Sequence, residues 1–153
     1  MSLFDRIFRR NMVQCPRCLG KGHVDMNDIK RLKKELFWSE GKCAYCNGIG
    51  RVPPGRITQV DPGFEYLTND LPSWERHKVI NSDPEAFKRA EITKKMILEI
   101  VQEIEHLYYI ENKEVFEIAD HFLERHATAK VSESDRSDLV RYIEKVINSK
   151  LGR

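Results

Sequence analysis

Cysteine is absent from the chain outside the window from Cys15 to Cys46. That excludes a disulfide framework spread over the fold, and a reducing compartment is the setting in which four clustered cysteines stay as thiols. No apolar run approaches the roughly 20 residues of a membrane span. The first residues lack the apolar core and cleavage site of a signal peptide, so the expected location is cytoplasmic. No glycine-rich phosphate loop precedes a helix, and no serine or cysteine nucleophile signature occurs, so no enzyme is expected. Histidine is sparse too. His121 and His126 are five apart and do not share a helix face. The single Glu103-x-x-His106 lacks the second copy and extra carboxylates that di-iron bundles require, and reads as a solvated helix face.

What is present is enough for a folded protein: 41% of residues are hydrophobic and 33% charged, a balance outside the range of wholly disordered chains. Charge is distributed unevenly. Residues 1–60 carry twelve Lys and Arg against five Asp and Glu, a net of +7, whereas residues 61–153 carry fourteen against nineteen, a net of −5. Two units of different character follow, a basic front and an acidic back.

Along the chain, residues 1–12 form an amphipathic segment with Leu3, Phe4, Ile7 and Phe8 opposite Arg6, Arg9 and Arg10. Ile29, Leu32, Leu36 and Phe37 recur at helical spacing, with Asp25 or Asn27 as cap, which predicts a helix over 26–38. Residues 53–83 are broken by Pro53, Pro54, Gly55, Pro62, Gly63 and Pro72; only Arg56 to Val60 resembles a strand. Phe64, Tyr66, Leu67, Leu71 and Trp74 mark this stretch as an ordered connector. Asp83-Pro84 opens a long helix. Its stripe of Phe87, Ala90, Ile97, Val101, Ile104 and Tyr108, widened by Met96, Ile100 and Leu107, carries it to about Ile110. Two further helices are expected near Glu114–Ala127 and from about Asp135. Residues 84–153 are thus expected to form an acidic antiparallel three-helix bundle.

The most specific signal is CPRCLGKGHV, Cys15 to Val24, which returns as CAYCNGIGRV, Cys43 to Val52. Two Cys-x-x-Cys turns facing each other supply the four thiolates of a closed tetrahedral zinc site, so Cys15, Cys18, Cys43 and Cys46 are the candidate ligands of one Zn²⁺ per chain. A site closed by four thiolates has no open position and is structural. Gly20, Gly22, Gly48 and Gly50 are expected to shape the turns that carry backbone amides toward sulfur. A module of about 45 residues has little core of its own, and structural zinc contributes roughly 10 to 16 kcal/mol. A redox-active dithiol is the competing account, although one Cys-x-x-Cys suffices for that chemistry.

The doubled Cys-x-x-Cys-x-Gly-x-Gly resembles the cysteine-rich zinc domain of DnaJ chaperones. That family carries four copies around two ions; two copies here match one ion. The resemblance covers residues 15–52, about a quarter of the chain. It implies a zinc-held β-hairpin module, residues 13–52, within a mainly α protein, and a role in binding polypeptides as a chaperone-type or assembly adaptor. There is no His-Pro-Asp tripeptide, J domain or Gly/Phe-rich segment, so it does not imply stimulation of a partner chaperone's ATPase. The alternative partner is nucleic acid, because the front is basic and carries aromatics. For either partner the candidate contact residues are Arg17, Lys21, Lys30, Arg31, Lys34, Trp38 and Tyr45.

Overall fold

In the computed structural model, which describes residues 3, 11–126 and 132–151, the two cysteine repeats are joined crosswise. Strand β1 (Val13–Gln14) enters the first repeat and β2 (His23–Val24) leaves it; β3 (Gly41–Lys42) and β4 (Arg51–Val52) do the same for the second. β1 pairs antiparallel with β4, Val13 opposite Val52, and β2 pairs with β3, His23 opposite Lys42. Each entering strand therefore pairs with the leaving strand of the other repeat. This exchange makes one object of segments far apart in sequence.

Helix α1 (Met26–Arg31) starts at a reciprocal cap: Asp25 accepts from the Asp28 amide, and the Asp28 carboxylate accepts from the Asp25 amide. It stops well short of the expected Trp38. Lys33 adopts a left-handed φ of 59°, the Lys34 amide reaches back to the Ile29 carbonyl at 2.9 Å, and the Lys33 amide to Lys30 at 3.1 Å. These two bonds close the helix without glycine. The chain then turns so that Trp38 donates through Nε1 to the Glu65 carbonyl and Lys34 pairs with the Glu65 carboxylate. Long-range contacts override the local periodicity.

The stretch 53–83 is built of helices. α2 (Pro54–Gln59) occupies the segment expected as a strand, with Pro54 at its first turn. α3 (Ser73–Ile80) ends in the same glycine-free closure as α1, with Ser82 at φ 60° and the Asp83 amide bonded to Lys78. α4 (Pro84–Glu105) follows and continues as a π-helical turn over His106–Ile110. α5 spans Val115–His126 and α6 spans Glu133–Leu151. The amphipathic segment expected at 1–12 lies almost wholly outside the described residues.

The chain divides into two compact units, the first running through Lys94 and the second from Lys95. In the first, the four cysteines share one core with Val24, Ile29, Trp38, Tyr45, Val52, Val60, Leu67, Val79 and Ala86. Phe64 meets Phe87 edge to face at 5.3 Å, and Arg89 grips the Glu75 carboxylate with two bonds of 2.6 and 2.8 Å. Residues 53–83 thus belong to the first unit and contribute Val60, Leu67 and Val79 to its core. In the second unit Val101, Ile104, Leu107, Ile118, Ala119, Phe122, Ile143, Val146 and Ile147 are buried. Tyr109 donates to the Ile147 carbonyl, and Glu103 accepts from both His121 and Arg125. Met96 and Ile100, expected on the buried stripe of α4, are exposed.

Candidate metal centre

Each repeat makes a turn of nearly identical geometry. After Cys18 the chain passes through Leu19 at φ 54°, Gly20 at 88° and Gly22 at 80°; after Cys46 it passes through Asn47 at 54°, Gly48 at 79° and Gly50 at 87°. The turn lowers the Gly22 amide onto Cys18 Sγ and the Gly50 amide onto Cys46 Sγ, both at 3.2 Å. N–H donation to sulfur stabilises a thiolate and fixes its direction. The two turns also meet. A Cβ on Gly22 would lie 2.6 Å from the Gly48 carbonyl oxygen, and one on Gly50 would lie 2.5 Å from that of Gly20. The second glycine of each motif therefore serves the close approach of the two repeats as well as a positive φ.

The Cys43 amide donates to the Gly22 carbonyl at 3.0 Å, and the Cys15 amide to Gly50 at 2.9 Å. All four sulfurs are brought within 4.8 Å of one another and all four cysteines are buried. Cys15 Sγ lies 3.9 Å from Cys43 Sγ, and Cys18 Sγ lies 3.7 Å from Cys46 Sγ. Zinc–sulfur bonds of about 2.3 Å in a tetrahedron imply a sulfur–sulfur edge of about 3.8 Å. The cluster has the size of that tetrahedron, and its separations are far longer than the roughly 2.05 Å of a disulfide. Four soft donors at this spacing fit a zinc ion.

Without a cation such a cluster resists ionisation. Hydrogen bonding with Cys15, and then with Cys46, pushes the Cys43 thiol far up, while donation from Cys15 and Cys43 holds Cys46 far down. A divalent ion at the centre replaces those shared protons, which is why metal loading releases protons.

Arg17 and Tyr45, each just before the second cysteine of its pair, reach into the connector. Arg17 is buried and donates to three carbonyls: Leu67 at 2.6 Å, Pro62 at 2.8 Å and Phe64 at 3.1 Å. Its guanidinium stacks 4.1 Å from the Trp38 ring centroid and 5.4 Å from that of Tyr45. Burial pushes it down to about 10, so it remains a cation at neutral pH. Among the described residues, no carboxylate pairs with Arg17. A four-thiolate zinc centre carries a charge of about −2, and this cation interacts electrostatically with Cys43, Cys15 and Cys46. Tyr45 holds the matching place in the second repeat and donates its hydroxyl to the Val60 carbonyl at 2.7 Å. Arg56 in turn donates to the Tyr45 carbonyl.

The seven residues expected as a contact surface divide accordingly. Arg17, Trp38 and Tyr45 are buried, so they are removed from any exposed surface; the carbonyl-rich connector, whose course sequence did not reveal, covers them. Lys21 is bound to Asp25 and Asp28 at 2.7 Å each, Arg31 to the Arg17 carbonyl and Asp28, and Lys34 to Glu65. Of the set, Lys30 stays exposed on α1 without such a partner among the described residues. Gln14, which sequence reasoning passed over, caps the first turn through Nε2 to the Leu19 carbonyl at 2.6 Å. Among the described residues, no helix is long and apolar enough to cross a membrane. Comparisons with protein-family models, with curated proteins and with solved structures find no match.

Proposed function

We propose that Cys15, Cys18, Cys43 and Cys46 hold one structural zinc ion, and that the unit they staple is a non-catalytic binding module for polypeptides, of the chaperone or assembly-adaptor kind. The observation that carries this reading is the buried sulfur cluster with tetrahedral edge lengths of 3.7 and 3.9 Å. Four protein ligands leave the ion no position for water or substrate, so its contribution is rigidity. The resemblance of the doubled motif to the cysteine-rich domain of DnaJ chaperones supports the polypeptide as partner.

Two rival readings are weaker on specific grounds. A thiol–disulfide role needs an accessible thiolate, and these four cysteines are at most 1% exposed. Nucleic-acid binding uses aromatic platforms on a basic face, and the two aromatics offered as such platforms, Trp38 and Tyr45, are interior. The deciding experiment is affinity capture by the zinc-loaded chain, with and without nuclease, followed by mass spectrometry. The proposal expects a reproducible protein partner that survives nuclease and is lost when zinc is removed. Recovery of nucleic acid alone contradicts it.

A further inference from the structure

A groove of about 1000 Å³ runs along the second cysteine turn of the first unit, between that turn, α2 and α3. Among its described lining residues, Met12, Ala44, Ile49, Pro53 and Ile80 are apolar and Arg51, Arg56, Arg76 and His77 are basic, with no Asp or Glu. Among the described residues, none of these four basic residues makes an ion pair with a carboxylate.

Ile49 is the telling residue. In the first repeat the matching position is Lys21, which is tied down by Asp25 and Asp28. In the second repeat the position between the two left-handed glycines holds an isoleucine that is 67% exposed. The turn geometry does not need an apolar side chain there, since Lys21 serves the same turn. Ile49 is displayed by a backbone that the metal centre holds rigid, and an apolar anchor on a rigid support loses little entropy on binding.

We infer that this groove is the docking site for an acidic polypeptide segment with interspersed apolar side chains, whose carboxylates meet Arg51, Arg56, Arg76 and His77 while its apolar residues cover Ile49 and Ile80. This deepens, and rests on, the polypeptide-binding reading above. Charge complementarity selects the occupant: cations without internal counter-ions attract carboxylates and steer association. A nucleic-acid strand would also satisfy the charge. However, the described residues of the lining include no Phe, Tyr or Trp on which bases could stack, and the exposed isoleucine matches a side chain better than a phosphate.

The test uses the zinc-loaded full chain and fluorescence anisotropy with three labelled probes: a short peptide of alternating Leu and Asp, the same peptide with Lys for Asp, and a single-stranded oligonucleotide. The acidic peptide is expected to bind, and the double variant Arg51→Glu, Arg76→Glu should weaken it by about tenfold or more. Ile49→Ser should weaken it as well, and the surface control Lys88→Glu, exposed on α4 away from the groove, should not. One zinc per chain in each variant verifies that the unit is intact. Unchanged binding in the double variant and in Ile49→Ser overturns this site but leaves the polypeptide reading standing. Binding of the oligonucleotide, with neither peptide bound, overturns both.

Discussion

Replacing Arg17 by methionine isolates the way the cysteine turns hold the connector. Arg17 donates three hydrogen bonds of 2.6 to 3.1 Å to the carbonyls of Pro62, Phe64 and Leu67. Hydrogen bonds involving a charged group contribute about 1.5 to 3 kcal/mol each. Against that gain stands burial of the charge, which moves Arg17 from 12.5 to about 10 and costs about 3 kcal/mol at neutral pH. The bonds win, and removing them leaves carbonyls short of a donor. The expected loss for Arg17→Met is about 3 to 5 kcal/mol, a large share of the roughly 5 to 14 kcal/mol that a unit of this size commands. Urea unfolding of the zinc-loaded protein, followed by the fluorescence of buried Trp38, measures it. Arg17→Lys separates charge from geometry: a lysine keeps the positive charge but cannot fork to three acceptors, so it should recover less than half of the loss. If Arg17→Met stays within about 0.5 kcal/mol of the parent, a typical limit for surface changes, the connector is held by something else.

The glycines give a graded test. Gly22→Ala and Gly50→Ala each put a Cβ within 2.6 Å of backbone oxygen and should cost about 3 kcal/mol or more together with zinc affinity, whereas Gly20→Ala meets only the flexible Gln14 side chain and should cost about 1 to 2 kcal/mol; zinc competition with a chromophoric chelator ranks them, and equal losses would refute the backbone-contact argument. Stripping the metal with a strong chelator should red-shift the emission of Trp38 while the helical circular dichroism of α5 and α6 persists, because the sulfurs sit in the first unit's core; an unshifted spectrum contradicts this. Hydrogen bonding to His121, aided by Arg125, holds the Glu103 carboxyl below its ordinary 4.5. A carboxylate lowered by folding stabilises above its unfolded value and loses that contribution as pH falls through its folded value. Glu103→Gln should therefore cost up to about 1 kcal/mol near neutrality and nothing in strong acid, read as the difference in melting between variant and parent at each pH.

The two halves of the molecule were legible to different degrees. Cysteine and glycine spacing carries information that does not depend on distant contacts, so the four residues that meet could be named from sequence. Asp25 and Asp83-Pro84 were legible as helix starts for the same reason: a cap acts within one turn. The end of α1 was not. Lys33 takes a left-handed conformation that glycine usually signals, and Trp38 leaves the helical path for the Glu65 carbonyl, a partner distant in sequence. The segment Arg56 to Val60 alternates like a strand, yet Arg56 and Val60 are drawn to the Tyr45 carbonyl and hydroxyl as parts of a short helix and its cap. Sequence alone puts Arg17 on the surface, where arginine usually lies; its burial depends on three carbonyls that no local pattern marks.

Zinc K-edge X-ray absorption on the protein as purified, together with metal analysis, bears most directly on the metal centre from which the rest is built. The account predicts one zinc per chain with four sulfur neighbours at about 2.3 Å and no light-atom ligand. A shell containing oxygen or nitrogen, or protein that is folded and metal-free with the Trp38 emission of the loaded form, would contradict it.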